Sequence, residues 1–430
     1  MKKAIHVGLL GLGTVGCGVY RMIHEHQEEL FHRIGLPIQV EKILIRDIHK
    51  DRKIIMPDDL LTTDPEDIVN NPNIDVVIEV MGGMEETKEL ILRALRRRKH
   101  VITANKDLLA LYSGELLSVA SEYGCDLFYE ASVGGGIPVL RSVVDGLSSD
   151  RIFKMMGIVN GTTNFILTKM TKEKISFEQA LADAQALGFA EADPTSDIEG
   201  LDAARKMVIL STLGFSMKVS LEDLFIKGIS TITPEDIDYA DRFGYVIKLI
   251  GIARRDNGRV EISVEPAFIS KDHPLASVNN EFNAIYIYGE GIGETMLYGP
   301  GAGQLPTATA VVSDLVAVAK NMRLGVTGKS ALIPYNKKQL KNDEEIFVKY
   351  FLRLLVKDEA GSFAKLSALF AEKNISFEKL SQQPLKGKGM AEVVIITHQT
   401  TRKAFLSVLS QLRDLQMVYE IKSGYRVEGE

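Results

Sequence analysis

Gly11-Leu12-Gly13-Thr14-Val15-Gly16, entered from the apolar run Ile5-His6-Val7-Gly8-Leu9-Leu10, decides the reading of this chain. A G-x-G-x-x-G carries mechanical meaning where it joins a buried strand to a helix. Gly11 permits the tight turn, Gly13 lets backbone approach a pyrophosphate, and Gly16 lets helix and strand pack closely. The helix N-terminus then offers its unpaired N–H groups to the anion. Outward from this motif, Val40–Ile45, Val76–Val80, Val101–Thr103 and Leu127–Tyr129 repeat the short buried strand. Amphipathic stretches such as Glu85–Arg97 and Ser113–Tyr123 separate them. The alternation predicts an α/β fold, a Rossmann-type doubly wound parallel sheet. The second strand ends in Ile43-Leu44-Ile45-Arg46-Asp47. Arg46 suits a 2′-phosphate and so favours NADP, Asp47 leaves NAD possible, and Arg46 as a solvated surface charge is the plain alternative.

The rest of the chain is organised around this first sheet. Residues 1–137 with 301–325, the latter holding the apolar helix Thr307–Met322, form the expected dinucleotide-binding domain. Residues 138–300 read as a second, α+β domain, with strands at Val260–Val264 and Ile285–Tyr288. The polar stretch from Lys337 to Glu345 places a linker at 326–346. Residues 347–430 then order as strand, helix, strand, strand, helix, strand, the ferredoxin-like βαββαβ module.

Composition bounds the function. The 430 residues carry 51 Lys+Arg against 57 Asp+Glu, a net charge of -6, which excludes a general nucleic-acid surface. Arg96-Arg97-Arg98-Lys99 reads as a solvated helix end whose charge complements the dipole. Cys17 and Cys125 are the only cysteines, which suits a reducing cytoplasm. Neither a signal peptide nor a membrane-spanning apolar run is expected.

The richest chemistry lies between Gly188 and Lys206, Gly-Phe-Ala-Glu-Ala-Asp-Pro-Thr-Ser-Asp-Ile-Glu-Gly-Leu-Asp-Ala-Ala-Arg-Lys. Ser196 with Glu199 looks like a capping box, so a helix is expected from about Ser196 to Leu213. On it Glu199, Asp202 and Lys206 would share one face. An Asp202→Lys206 pair is often only a surface salt bridge. In a dehydrogenase the same pair would hold a protonated lysine, aimed to give a proton to a carbonyl oxygen as hydride reaches carbon.

The segment Ala184-x-x-x-Gly188-Phe189 through Asp193-Pro194, Asp197-Ile198-x-Gly200-x-Asp202 and Lys206 resembles the signature of homoserine dehydrogenases. Thr103–Lys106, Glu130–Pro138, Gly157–Asn164 and Tyr298–Gly303 agree with it, so the resemblance covers essentially residues 1–325. It implies NAD(P)-dependent interconversion of L-homoserine and L-aspartate 4-semialdehyde, on the way to threonine and methionine. Lys206 matches the catalytic acid/base and Lys106 a second lysine at the cofactor and reacting centre. Glu191 and Asp202 match substrate-binding residues, while Thr14, Val15 and Arg46 match cofactor contacts. Gly303 lies in a loop expected to close over the nicotinamide end. In this family the turn holds a monovalent cation such as sodium, matching Glu130, Val133, Gly135 and Ile137; a tight bend alone would also explain the glycines. The resemblance makes residues 138–300 the expected substrate-binding, catalytic and dimerisation domain, and a homodimer or homotetramer is expected. Asn160-Gly161-Thr162-Thr163-Asn164 is expected to line the substrate cleft, with no individual roles assigned.

The last module resembles an ACT domain. Asp358-Glu359-Ala360-Gly361 lies where that family binds an amino acid, threonine being the natural effector, or the module only strengthens assembly. Two rival functions remain. A semialdehyde dehydrogenase needs a thiolate nucleophile, which neither cysteine's position suits. An amino-acid sensor on a dehydrogenase scaffold would be expected to lose Lys206 or the glycines, and both are intact.

Overall fold

The structure is a computed structural model that describes residues 3–50, 52, 54–329 and 334–429. Packing divides the chain into two compact units, 1–153 with 205–222 and 283–338, and 154–204 with 223–282 and 339–430. These units cut across the sequence-derived domains.

The first unit is built on a six-stranded parallel sheet. Its strands lie in the order Leu61–Thr62, Ile38–Leu44, Ile5–Leu10, Val76–Glu79, His100–Thr103 and Leu127–Phe128, which is the doubly wound arrangement. Ile5–Leu10 sits at the centre, with Val7 opposite both Val40 and Val76. Because both faces are covered by helices, the strand is apolar almost throughout rather than alternating. The helix Gln304–Leu324 returns to this sheet: Val311, Leu315 and Val318 join Ile5, Val7, Val19 and Ile23 in one core cluster. Each such side chain contributes about 1.5–3 kcal/mol on burial. The expected helix is therefore real, and extends beyond Thr307–Met322 at both ends.

The second unit holds a run of strands in the order Ile152–Ile158, Tyr245–Asp256, Arg259–Ser270, Val418–Glu428, Phe347–Lys357, Met390–Thr397 and Phe377–Leu385. The last four are the ferredoxin-like module in its expected order, with helices Ser362–Glu372 and Arg402–Asp414. Val418–Glu428 pairs antiparallel with Phe347–Lys357 on one side and parallel with Arg259–Ser270 on the other, where Ala267 faces Arg426. The module thus continues a sheet begun more than a hundred residues earlier. Its own core gathers Leu352, Leu366, Phe370, Ile395 and Val408, and Tyr350 stacks on Phe405 at 3.8 Å.

Three local expectations need correction. The helix expected from Ser196 to Leu213 is two helices, Thr195–Ile198 and Leu201–Phe215, parted at Glu199 and Gly200. Gly200 has φ +80°, a conformation that ends a right-handed helix and that only glycine adopts cheaply. Glu199 therefore does not share a helix face with Asp202 and Lys206, and Ser196 lies inside the first helix rather than at its N-cap. Asp193 accepts from Thr195 N at 3.1 Å and Thr195 Oγ1 at 2.6 Å. Within the expected linker, residues 330–333 lie outside the described ones, but Gln339–Lys341 is backbone-paired to Val260 and is not free chain. Lys99 is not solvated either: it is buried, with Nζ donating to the Ile74 carbonyl at 2.8 Å and to that of Asn71.

Candidate active site

Gly11, Gly13, Thr14, Val15, Gly16, Arg46, Lys106, Lys206, Gly303 and the turn Glu130–Ile137 belong to the first unit. Glu191 and Asp202 belong to the second.

The glycine motif has the mechanics its spacing predicts. Gly11 has φ +105°, and a Cβ there would lie 2.8 Å from Met81 Cα. A Cβ on Gly16 would overlap the Gly11 carbonyl. Gly13 caps the helix Thr14–Glu25, and a Cβ there would meet nothing within 4 Å, so this face opens on space of the kind a phosphate fills. A cavity of about 450 Å³ adjoins it, lined among others by Gly11, Gly13, Arg46, Lys50, Arg52 and Glu86. Arg52 donates to the Lys50 and Asp47 carbonyls at 2.8 and 2.7 Å. The Asp47 carboxylate accepts its own His49 N–H at 2.8 Å. The residues present thus fit a dinucleotide.

Lys106 opens the helix Lys106–Glu122 directly after the strand His100–Thr103. A buried carboxylate that sequence reading missed, Glu79, builds this corner. It accepts from Met81 N at 2.9 Å, Gly82 N at 3.0 Å and Thr103 Oγ1 at 2.5 Å. Burial pushes its carboxyl up while these donors hold it down. Thr103 Oγ1 in turn accepts from Asn105 N, and Asn105 caps the helix through Leu108 N and reaches the Gly83 carbonyl. The available signal was an acid ending an otherwise apolar strand, Val-Val-Ile-Glu. Asp107, next in sequence, pairs with Arg205 Nε at 2.9 Å. One ion pair therefore links the neighbours of the two candidate lysines.

In the second unit, Asn160 organises the carboxylates. It caps the helix Gly161–Glu173, its Oδ1 accepting from Thr163 N at 2.8 Å and Thr163 Oγ1 at 2.9 Å. Its Nδ2 donates to Asp197 Oδ1 at 2.7 Å and Asp202 Oδ2 at 2.8 Å. Asn160 and Asp202 are buried. Asn164 has a different task, its amide tying down the carbonyls of Val278, Asn280 and Phe282. Glu191 is exposed on a loop moored by Thr162 Oγ1 to the Phe189 carbonyl, 2.6 Å, and by Gln185 to its own carbonyl, 3.0 Å.

The turn Glu130–Ile137 folds back through Gly134 and Gly135, at φ +73° and +57°. Glu130 is buried, each carboxylate oxygen accepting one backbone N–H, from Leu140 and Arg141, at 2.8 Å. Burial pushes its carboxyl up. Carboxylate oxygen is a donor of the kind that suits a hard cation, and here both oxygens already accept backbone N–H groups. Among the described residues no group of three or more His, Cys, Asp or Glu is placed to hold a metal. Neither thiol is activated: burial raises both Cys17 and Cys125, the latter to about 11.

Comparison with known proteins bears on this geometry. The family model for the NAD-binding domain of homoserine dehydrogenase matches residues 11–130, that for homoserine dehydrogenase 138–316, and that for the ACT domain 350–416. The homoserine dehydrogenase of Bacillus subtilis (strain 168) is 59% identical over 428 residues, covering 99% of each chain. The crystal structure of a homoserine dehydrogenase from Thiobacillus denitrificans superposes with a TM-score of 0.94 at 38% identity, again over 99% of each. A hyperthermophilic archaeal homoserine dehydrogenase in complex with NADPH aligns at a TM-score of 0.63 and 27% identity, over 73% of this chain and 97% of that one. A glycine turn ending on an open face, two lysines linked through neighbouring residues and full-length similarity converge: the chain belongs to the homoserine dehydrogenase family, NAD(P)-dependent oxidoreductases, in a form that carries an ACT domain.

Proposed function

We propose that the chain interconverts L-homoserine and L-aspartate 4-semialdehyde, with Lys206 as the acid/base. The observation that carries the residue assignment is the Arg205–Asp107 ion pair, which ties the helix bearing Lys206 to the start of the helix bearing Lys106. A bound nicotinamide supplies or accepts the hydride. The protein handles the rest. In reduction Lys206 donates a proton to the aldehyde oxygen, and in oxidation it takes one from the hydroxyl. Asp202, one helical turn before it, supplies a negative charge on the same helix. Lys106 faces the reacting centre with a second positive charge, and Glu191 with Asp202 binds the polar end of homoserine.

For the cofactor, Arg46, Lys50 and Arg52 around one cavity favour NADP, and the engagement of Asp47 by its own turn weakens the case for NAD. Thr14, Val15 and Gly303 complete the contacts. A monovalent cation such as sodium sits at Glu130, Val133, Gly135 and Ile137 as a structural ion. The ACT module takes threonine at Asp358–Gly361, where Gly361, at φ +92°, caps the helix Ser362–Glu372. Met296 and Tyr298, exposed on the strand Gly293–Pro300, belong to the contact between copies in a dimer or tetramer.

The test is absorbance at the reduced-nicotinamide band with homoserine and either cofactor. The intact chain should turn over with NADP preferred, and Lys206→Ala should lose about 10²–10⁴-fold in kcat. Turnover within a few-fold of the parent would remove Lys206 from the mechanism. Threonine added to the same assay should lower the rate. An unchanged rate and assembly state at saturating threonine would leave the module a scaffold.

A further inference from the structure

The Asn160 side chain does more than a helix cap requires. A cap needs one acceptor, and serine, threonine or aspartate supplies it equally well. Asn160 spends its acceptor on Thr163 and both protons of its amide on two different carboxylates, Asp197 at 2.7 Å and Asp202 at 2.8 Å. The orientation of the amide follows from its partners. Flipped, it would set a carbonyl oxygen against two carboxylates and an NH₂ against an N–H donor. Of the side chains that cap a helix well, only asparagine offers an acceptor and a two-proton donor end on so short a stem.

Resting on the dehydrogenase reading above, we propose that Asn160 is the positioning residue that fixes the substrate-facing carboxylates of Asp197 and Asp202. It holds two like charges on one nitrogen and thereby sets both their spacing and their orientation toward the cationic and hydroxyl groups of an amino alcohol. Asp197 is drawn into the site by the same bond. It lies on the short helix Thr195–Ile198, while Asp202 lies in the first turn of Leu201–Phe215. The break at Gly200 separates these two helices, so no backbone hydrogen-bond ladder of a single helix holds the carboxylates together. Asn160 is the bridge across that break.

Two substitutions separate positioning from capping. Asn160→Ser keeps the cap acceptor and loses the donors without adding charge. Asn160→Asp keeps the cap and places a third carboxylate against the other two, which forces the cluster to hold a proton. For Asn160→Ser, kcat/KM for homoserine should fall about 10- to 100-fold, the scale of a misplacement near 1 Å. The KM for the nicotinamide should stay near the parent's. For Asn160→Asp the loss should deepen as pH rises and recover in part toward acid, adding an ionisation to the pH profile that the parent lacks. Asn160→Ser within two-fold of the parent, or an Asn160→Asp profile parallel to the parent's, overturns the assignment. A parent chain that fails to oxidise homoserine with either nicotinamide overturns the dehydrogenase reading, and this inference with it.

Discussion

Lys248 shows how a single buried group writes a pH dependence into the fold. Among the described residues its Nζ meets neutral acceptors, Asn164 Oδ1 at 3.1 Å, the Val278 carbonyl at 2.5 Å and Asn279 Oδ1 at 3.4 Å. Burial, with Lys172 adding to it, lowers the amine from its ordinary 10.5 to about 7. Between those values the unfolded chain binds more protons than the folded one, so stability should rise with pH from about 7 toward 10.5. Urea unfolding across pH 7 to 9.5 should show that slope in the parent and a flatter one in Lys248→Met. Equal slopes would show that the lysine is protonated in the native state throughout. At the same scale, Glu79→Gln should raise the KM for the nicotinamide, because an amide cannot accept all three hydrogen bonds with one oxygen. It should also cost about 1–3 kcal/mol of stability in denaturant titration. Parent-like values of both would make Glu79 incidental to the corner that carries Lys106. The glycine turn was readable because its mechanics depend on residue type and short spacing. Glu79 and Asn160 were not, because their partners lie 24 and 42 residues away in sequence, Thr103 for the one and Asp202 for the other.

Among the elements, the two short helices around Gly200 show what periodicity can and cannot resolve. A 3.6-residue repeat runs through Thr195–Phe215 without marking the interruption, since one residue at φ +80° changes direction without changing composition. Gly200→Ala should cost about 1–2 kcal/mol for the left-handed backbone, with a further penalty because the new Cβ would lie 3.3 Å from Val264 Cγ1. Thermal melting checks this, and a melting temperature equal to the parent's would mean that the helices re-register without strain. The parallel strands were legible for the opposite reason. Buried on both faces, they appear as uninterrupted apolar runs bounded by turns, and each expected strand of the first sheet is present within a few residues of its expected ends.

Over the molecule as a whole, the C-terminal module is stitched into its unit by buried charge. Arg426, on the strand Val418–Glu428, is enclosed by Glu261, Glu265 and Glu428, and Glu428 also takes Lys154 at 2.9 Å. The guanidinium and Lys154 hold the Glu428 carboxyl down at about 2. Arg426→Met leaves Glu261 and Glu265 buried without their guanidinium, so it should cost about 3–5 kcal/mol in unfolding free energy. Wild-type stability in that variant would show that water replaces the arginine. The order of the module's elements was evident from its apolar pattern, whereas its union with Arg259–Ser270 was not, because a central charged residue in a strand looks solvent-facing when read alone.

That union has a bearing on biogenesis. Val418–Glu428 is a middle strand of its run, flanked by Arg259–Ser270 and Phe347–Lys357, yet it is the last of them to leave the ribosome. Until it emerges, two earlier segments wait with unpaired edges facing each other, and Glu261 and Glu265 lack their guanidinium. Unpaired edges of this kind invite association with other nascent chains, and this unit's run of strands closes only once Val418–Glu428 has been made.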